Sequence, residues 1–201
     1  MINRSGLALG FATVMVAAFP CGGDAASSPA PGSERVAILS RQAFPAELKG
    51  WGQVGPAIFA ADTNKTCEGL ASARITVASD AELKYQQLRR EFTEGIQPRD
   101  EYYASVWVAT ENVTQPPGAY LALEFLDRQG QRTGIAHGYP GTAPGPGGWR
   151  KMDTTGRAPD GTVGLRLCLV LHAPGSAWFA APEEARINRE IPWPDLGDAP
   201  R

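Results

Sequence analysis

Residues 102–130 read YYASVWVATENVTQPPGAYLALEFLDRQG, two alternating runs joined by a turn that holds Pro116, Pro117 and Gly118. Alternation with one apolar side marks a half-buried antiparallel strand. In the first run Tyr102, Ala104, Val106 and Val108 form the core side, and Tyr103, Ser105 and Trp107 point the other way. In the second, Leu121, Leu123 and Phe125 face the core, and Tyr120, Ala122, Glu124 and Leu126 face away. Both runs therefore carry aromatics on the side that the core does not use.

The same signal recurs outward from this stretch. Residues 71–77 (ASARITV) alternate, and 163–172 (VGLRLCLVLH) put five aliphatic residues on one side with Arg166, Cys168, Val170 and His172 opposite. Residues 85–92 (YQQLRREF) read as a strand, with a helix from Ala81 as the competing assignment. Residues 138–148 (GYPGTAPGPGG) read as an irregular loop, because Pro and Gly block both helix and central strand. The chain has 23 Gly and 17 Pro among 201 residues, so turns are frequent. Many short strands between such turns predict an all-β sandwich or barrel.

The ends have a different character. Arg4 followed by the apolar run Leu7–Phe19 has the form of a secretory leader and predicts a signal peptide over residues 1–20. Cys21, followed by Gly22 and Gly23, resembles a bacterial lipoprotein site, although Pro20 stands where such sites carry a small residue; cleavage nearby, at Ala18 or Ala26, is the alternative. Residues 21–35 are rich in Ala, Ser, Pro and Gly and predict a disordered tether. The sandwich is expected over residues 36–190 and a tail over 191–201. The chain is thus expected to be exported, periplasmic, secreted or on the cell surface, and to meet a membrane only through a lipid anchor at Cys21.

A formal net charge of −2 argues against a nucleic-acid partner, which needs a basic field. With Cys21 lipidated or removed, Cys67 and Cys168 remain, and an oxidising compartment permits one disulfide between them. Two buried thiols are the alternative. Three Cys and two His in no ligand-like cluster argue against zinc.

Four patterns occur in order: EGIQPRDEYYASVWVAT (94–110), YLALEFLDRQG (120–130), GGWRKMDTTGRAPDGTVGLRLCLVL (147–171) and APGSAWF (173–179). Together they resemble the family 4/9 carbohydrate-binding modules and their galactose-binding-like jelly-roll relatives, over roughly residues 44–187. The resemblance implies a jelly-roll β-sandwich of two antiparallel sheets that binds a polysaccharide or oligosaccharide without catalysis. It also brings up a structural calcium, but WFAAPEEARI (178–187) has Ala180 and Ala181 where the family often has an Asp pair, and Glu47 matches another ligand only loosely.

Sugar binding needs aromatic faces for the C–H patches of the ring and polar groups for its hydroxyls. If the strands share a sheet, its outer surface offers Tyr103, Trp107, Tyr120, Glu124 and Arg166 as ligand-binding residues. Each has a plainer reading: Trp107 in a second apolar layer, Tyr103 and Tyr120 as cross-strand partners, Glu124 and Arg166 as an ion pair. Trp149 and Trp178 are expected to pack, and Trp51, His137 and Tyr139 are loop candidates for the rim. Alternatives to the glycan binder are a structural or protein-interaction sandwich and, less favoured, a jelly-roll lyase or glycosidase, for which no carboxylate pair or nucleophile motif stands out. Exposure of Trp107, Tyr103 and Tyr120 together beside Glu124 and Arg166 separates binder from scaffold.

Overall fold

The computed structural model describes residues 33–81, 85–142 and 146–189. The leader, Cys21, most of the tether and the tail lie outside the described residues. Eleven strands follow in chain order: β1 (Ser33–Leu39), β2 (Gly52–Val54), β3 (Ile58–Cys67), β4 (Leu70–Val77), β5 (Gln86–Phe92), β6 (Glu101–Glu111), β7 (Gly118–Leu126), β8 (Arg132–Gly138), β9 (Arg150–Arg157), β10 (Gly164–His172) and β11 (Gly175–Arg189). Residues 86–92 are a strand and not the competing helix. Short 3-10 turns at Ala46–Leu48 and Pro146–Gly148 are the helical pieces among the described residues.

Two antiparallel sheets form a jelly-roll sandwich. One runs β3-β4-β11-β6-β9, with β1 added beside β11; the other runs β2-β5-β10-β7-β8. The alternation seen in the sequence decides what lies between them. Tyr102, Ala104, Val106 and Val108 from one sheet meet Leu121, Leu123, Phe125, Leu165, Leu167 and Leu169 from the other, all at most 2% exposed. Phe44 and Trp51, 5.0 Å apart between ring centres, join the same core, so Trp51 does not rim a site. The buried Tyr102 hydroxyl accepts from the Gln97 N–H (2.7 Å) and donates to the Gln97 carbonyl (3.2 Å), which pins the loop before β6.

Along one side the sheets approach closely, and glycine is the reason they can. A Cβ at Gly138 in β8 would fall 2.4 Å from the Asp153 carbonyl oxygen in β9, and one at Gly156 would fall 3.0 Å from the Phe125 ring. Any side chain there would force the sheets apart.

β11 contains a bulge. Ala180 pairs with Trp107 and Glu183 with Ser105, so Ala181 and Pro182 share the space opposite Val106. Ala181 has φ 49, and Pro182 has no N–H to give to the ladder, as suits an interruption. One extra residue exchanges the two sides of everything after it. Phe179 points inward, but beyond the bulge Glu184 and Arg186 point inward too, opposite Ala104 and Tyr102. Glu184 is 0% exposed and neither carboxyl oxygen has a hydrogen-bond partner. Burial pushes its pKa up to about 8, against the weaker opposing pull of Arg90.

The expected Cys67–Cys168 bridge is not formed. Cys67 is disulfide-bonded, whereas Cys168 is a free, buried thiol. The topology explains this: Cys67 ends β3 in one sheet and Cys168 sits mid-strand in β10 of the other, pointing away from the interior.

Candidate functional site

The five residues expected on one surface are divided between two. β6 and β7 belong to different sheets, because the Pro-Gly turn between them crosses the sandwich instead of closing a hairpin. Tyr103 and Trp107 therefore lie on the outer face of the six-stranded sheet. Tyr120, Glu124 and Arg166 lie on the outer face of the five-stranded sheet, on the opposite side of the molecule.

On the six-stranded face the aromatics are covered. Trp107 (5% exposed) packs with Trp149, Trp178, Ala109, Ala180, Ala181 and Cys67 in a second apolar cluster. Trp149 and Trp178 do pack as expected, but outside the sheet and not between the sheets. Trp178 Nε1 donates to Asp62 Oδ2 at 2.9 Å, and Lys65 Nζ lies 4.0 Å from its ring centre. Tyr103 is 2% exposed beneath the Arg35 guanidinium, 4.0 Å from its ring centre.

The five-stranded face is built in rows by its register. One row is Arg89 (β5), Cys168 (β10), Ala122 (β7) and His137 (β8); the next is Glu91, Arg166, Glu124 and Ile135. In the second row charges alternate across the strands. Arg166 reaches Glu91 and Glu124 at 2.8 Å each, and Arg132 reaches Glu124 at 3.2 Å. Glu124 and Arg166 thus serve one another first, as in their plainer reading. Ala122, Cys168 and Val170 form a buried floor beside this ladder.

At the other end of the floor stands an aromatic belt. Tyr120 is buried (6% exposed), while Tyr85 and Tyr139 are exposed by 57% and 56%. Tyr85 lies 4.6 Å from His172 between ring centres, Tyr139 5.7 Å from Tyr120, and Tyr120 5.7 Å from His137. Burial, with lesser contributions from the nearby Tyr85 and Tyr139 phenols, pushes the Tyr120 hydroxyl up to about 12. It stays protonated at ordinary pH and can both donate and accept. His137 lies within β8 and not in a loop. Tyr85 and His172 join the site although the sequence candidates did not include them; the signal lies in the shared parity of Tyr85, Gln87 and Arg89, and of His137 and Tyr139.

The acidic ligands that the resemblance brings up for calcium are not gathered among the described residues. Among the described residues no group of three or more His, Cys, Asp or Glu could hold a metal. Glu47 is exposed, and Glu183 is engaged by Arg41 at 3.6 Å.

No protein-family profile matches the chain, and no curated protein matches it. Solved structures do. The CBM22-1 xylan-binding domain of Paenibacillus barcinonensis Xyn10C superposes with a TM-score of 0.55 at 14% identity, over 76% of this chain and 95% of that one. The CBM22-1-GH10 modules of Clostridium thermocellum xylanase 10B, solved with xylohexaose, give 0.56 at 18% identity, over 75% and 28%. The Stig cyclase Fisc of Fischerella sp. TAU, bound to an indole compound, gives 0.58 at 12% identity, over 78% and 100%. At such identities the likeness establishes the fold: the jelly-roll sandwich of carbohydrate-binding modules. The neighbours with that label are of family 22 and not 4/9.

Proposed function

We propose that this chain is an exported, non-catalytic glycan-binding domain whose ligand lies across the outer face of the five-stranded sheet. The observation that carries the reading is the pair of exposed rings, Tyr85 and Tyr139, flanking the buried Tyr120 on one sheet face. Rigid phenol rings offer stacking area at little entropic cost, and their hydroxyls and the imidazoles of His137 and His172 offer hydrogen bonds to a polyol. The fold shared with xylan-binding domains supports xylan as the first ligand to try. The leader-like N-terminus supports export, and Cys21 is open either to a lipid anchor or to a disulfide with Cys67, not to both. A thioether at Cys21 would remove that sulfur from disulfide chemistry, so the intact mass of the mature chain tests the anchor directly.

Tyr103 and Trp107 are withdrawn from the binding set, because both are covered. That covering, together with the internally paired Glu124 and Arg166, is the observation that favours the second reading, a sandwich that binds protein or nothing. Titration calorimetry against xylan, xylohexaose and other neutral glycans decides. Saturable binding that Tyr85→Ala and Tyr139→Ala weaken at least about tenfold, each with an unchanged fold, supports the glycan face; ring contacts of this kind are hot spots in many interfaces. No heat with any glycan, from protein of verified fold, moves the reading to the interaction sandwich.

A further inference from the structure

Resting on that reading, we infer that the five-stranded face selects a glycan bearing a carboxylate, and that Arg89 is the residue that reads it. The face carries three guanidiniums, Arg89, Arg132 and Arg166, against two carboxylates, Glu91 and Glu124. Both carboxylates are already taken: Arg166 holds one on each side at 2.8 Å, and Arg132 adds a second contact to Glu124 at 3.2 Å. Arg89 sits one row away, directly opposite Cys168, partly buried, and its guanidinium makes no ion pair or hydrogen bond among the described residues.

The position of Arg89 is built. On its other side it pairs with Gly52 of β2. A Cβ on Gly52 would come within 3.2 Å of Arg89 Cγ and 3.4 Å of Nε. The bare glycine therefore gives the arginine stem a place to lie along the sheet, with the side chain partly out of water. A half-desolvated guanidinium without a counter-charge is unfavourable. The planar fork of arginine is matched best by a carboxylate, which it grips through two parallel hydrogen bonds.

The neighbours of Arg89 say what kind of molecule would bring that carboxylate. Tyr85, Gln87 and Arg89 occupy successive outward positions along β5 and the residue that precedes it. From Tyr85 to Arg89 is about 13 Å along a strand, longer than one pyranose ring. A sugar stacked at the Tyr85–His172 end and a carboxylate at Arg89 therefore belong to different units of one chain. Gln87 between them suits the hydroxyls of the intervening unit. An acidic polysaccharide, with uronic acid units among or attached to neutral ones, meets these three requirements together.

The test compares two polymers that differ only in charge: glucuronoxylan and the same xylan after chemical reduction of its carboxyl groups, titrated calorimetrically into the chain. The acidic polymer is expected to bind about tenfold more tightly, the order contributed by a charge-assisted hydrogen bond. Arg89→Gln is expected to abolish that preference while leaving affinity for the reduced polymer unchanged, and Arg89→Lys to keep part of it. Added salt should weaken binding of the acidic polymer alone. Equal affinity of the parent protein for both polymers, or an Arg89→Gln protein that retains the preference, overturns the assignment and leaves the glycan face standing. Retention of neither polymer, nor of any neutral glycan, removes the glycan face itself.

Discussion

Arg166 Nη1 lies 2.8 Å from Glu124 Oε2, and the two residues face each other across the β10–β7 ladder. Their side chains are only 17% and 14% exposed, so the pair is shielded better than a typical surface bridge. Removing Arg166 leaves the half-buried Glu124 with only the more exposed Arg132 as counter-charge. Arg166→Met is expected to destabilise the domain by about 1–3 kcal/mol in urea unfolding. A double-mutant cycle with Glu124→Gln should show strong coupling; additive effects would mean that the ladder contributes nothing as a unit.

Glu184 gives the domain an alkaline weakness. Its carboxyl, ordinarily near 4.5, is pushed up to about 8 when folded. The folded state thus holds a proton that the unfolded chain releases. Below the unfolded value both states are protonated and nothing is lost. As pH climbs from there to about 8 stability falls, and above it the penalty is constant, at roughly 5 kcal/mol by linkage. Urea midpoints measured from pH 4 to 9 are expected to fall more steeply for the parent than for Glu184→Gln. Parallel curves would show that the carboxyl is compensated in solution.

Trp107 and Tyr139 are expected to behave oppositely. Trp107→Ala opens a cavity against Trp149 and Trp178 and should cost about 3–5 kcal/mol of stability with no direct effect on glycan binding. Tyr139→Ala removes an exposed ring and should change stability by less than about 1 kcal/mol while weakening glycan retention. Thermal melts and affinity electrophoresis on both variants separate the two roles; a Trp107→Ala protein that melts like the parent would contradict its packing.

Cys168 should be inert. Burial pushes its thiol up to about 12, so almost no thiolate exists at neutral pH to attack a reagent. Iodoacetamide is expected to label Cys168 only after unfolding, and Cys67 only after unfolding and reduction. A tryptic peptide linking Cys67 to Cys168 would overturn the observed pairing.

Period-two alternation was enough to predict β4, β6, β7 and β10 and to sort their inward from outward residues, because burial on one side leaves that pattern directly in the chain. Sheet membership was not legible. Residues 112–117 are equally compatible with a hairpin and with a crossing, and only the crossing sends Tyr103 and Trp107 to the far side from Tyr120. The long apolar cluster around Trp107 was hidden for a related reason: an outer layer of tryptophans has the same alternation as a ligand face. Glu184 was invisible because alternation counted from Phe179 places Glu183, Ala185 and Ile187 inward, and nothing but the bulge reverses the count. The exposed rings of Tyr85 and Tyr139 flank segments whose strand character was ambiguous or interrupted, so their shared face emerged only from the ladder.

That reversal makes Ala181 a parity switch. Delete the single residue, and continuous pairing of β11 with β6 would carry Ala185 and Ile187 in between the sheets and move Glu184 and Arg186 to the outer side, where Ala185 and Ile187 now lie covered. The shortened chain would trade a charged interior for an apolar one and press its former lining against the outer covering instead, like a sleeve pulled through.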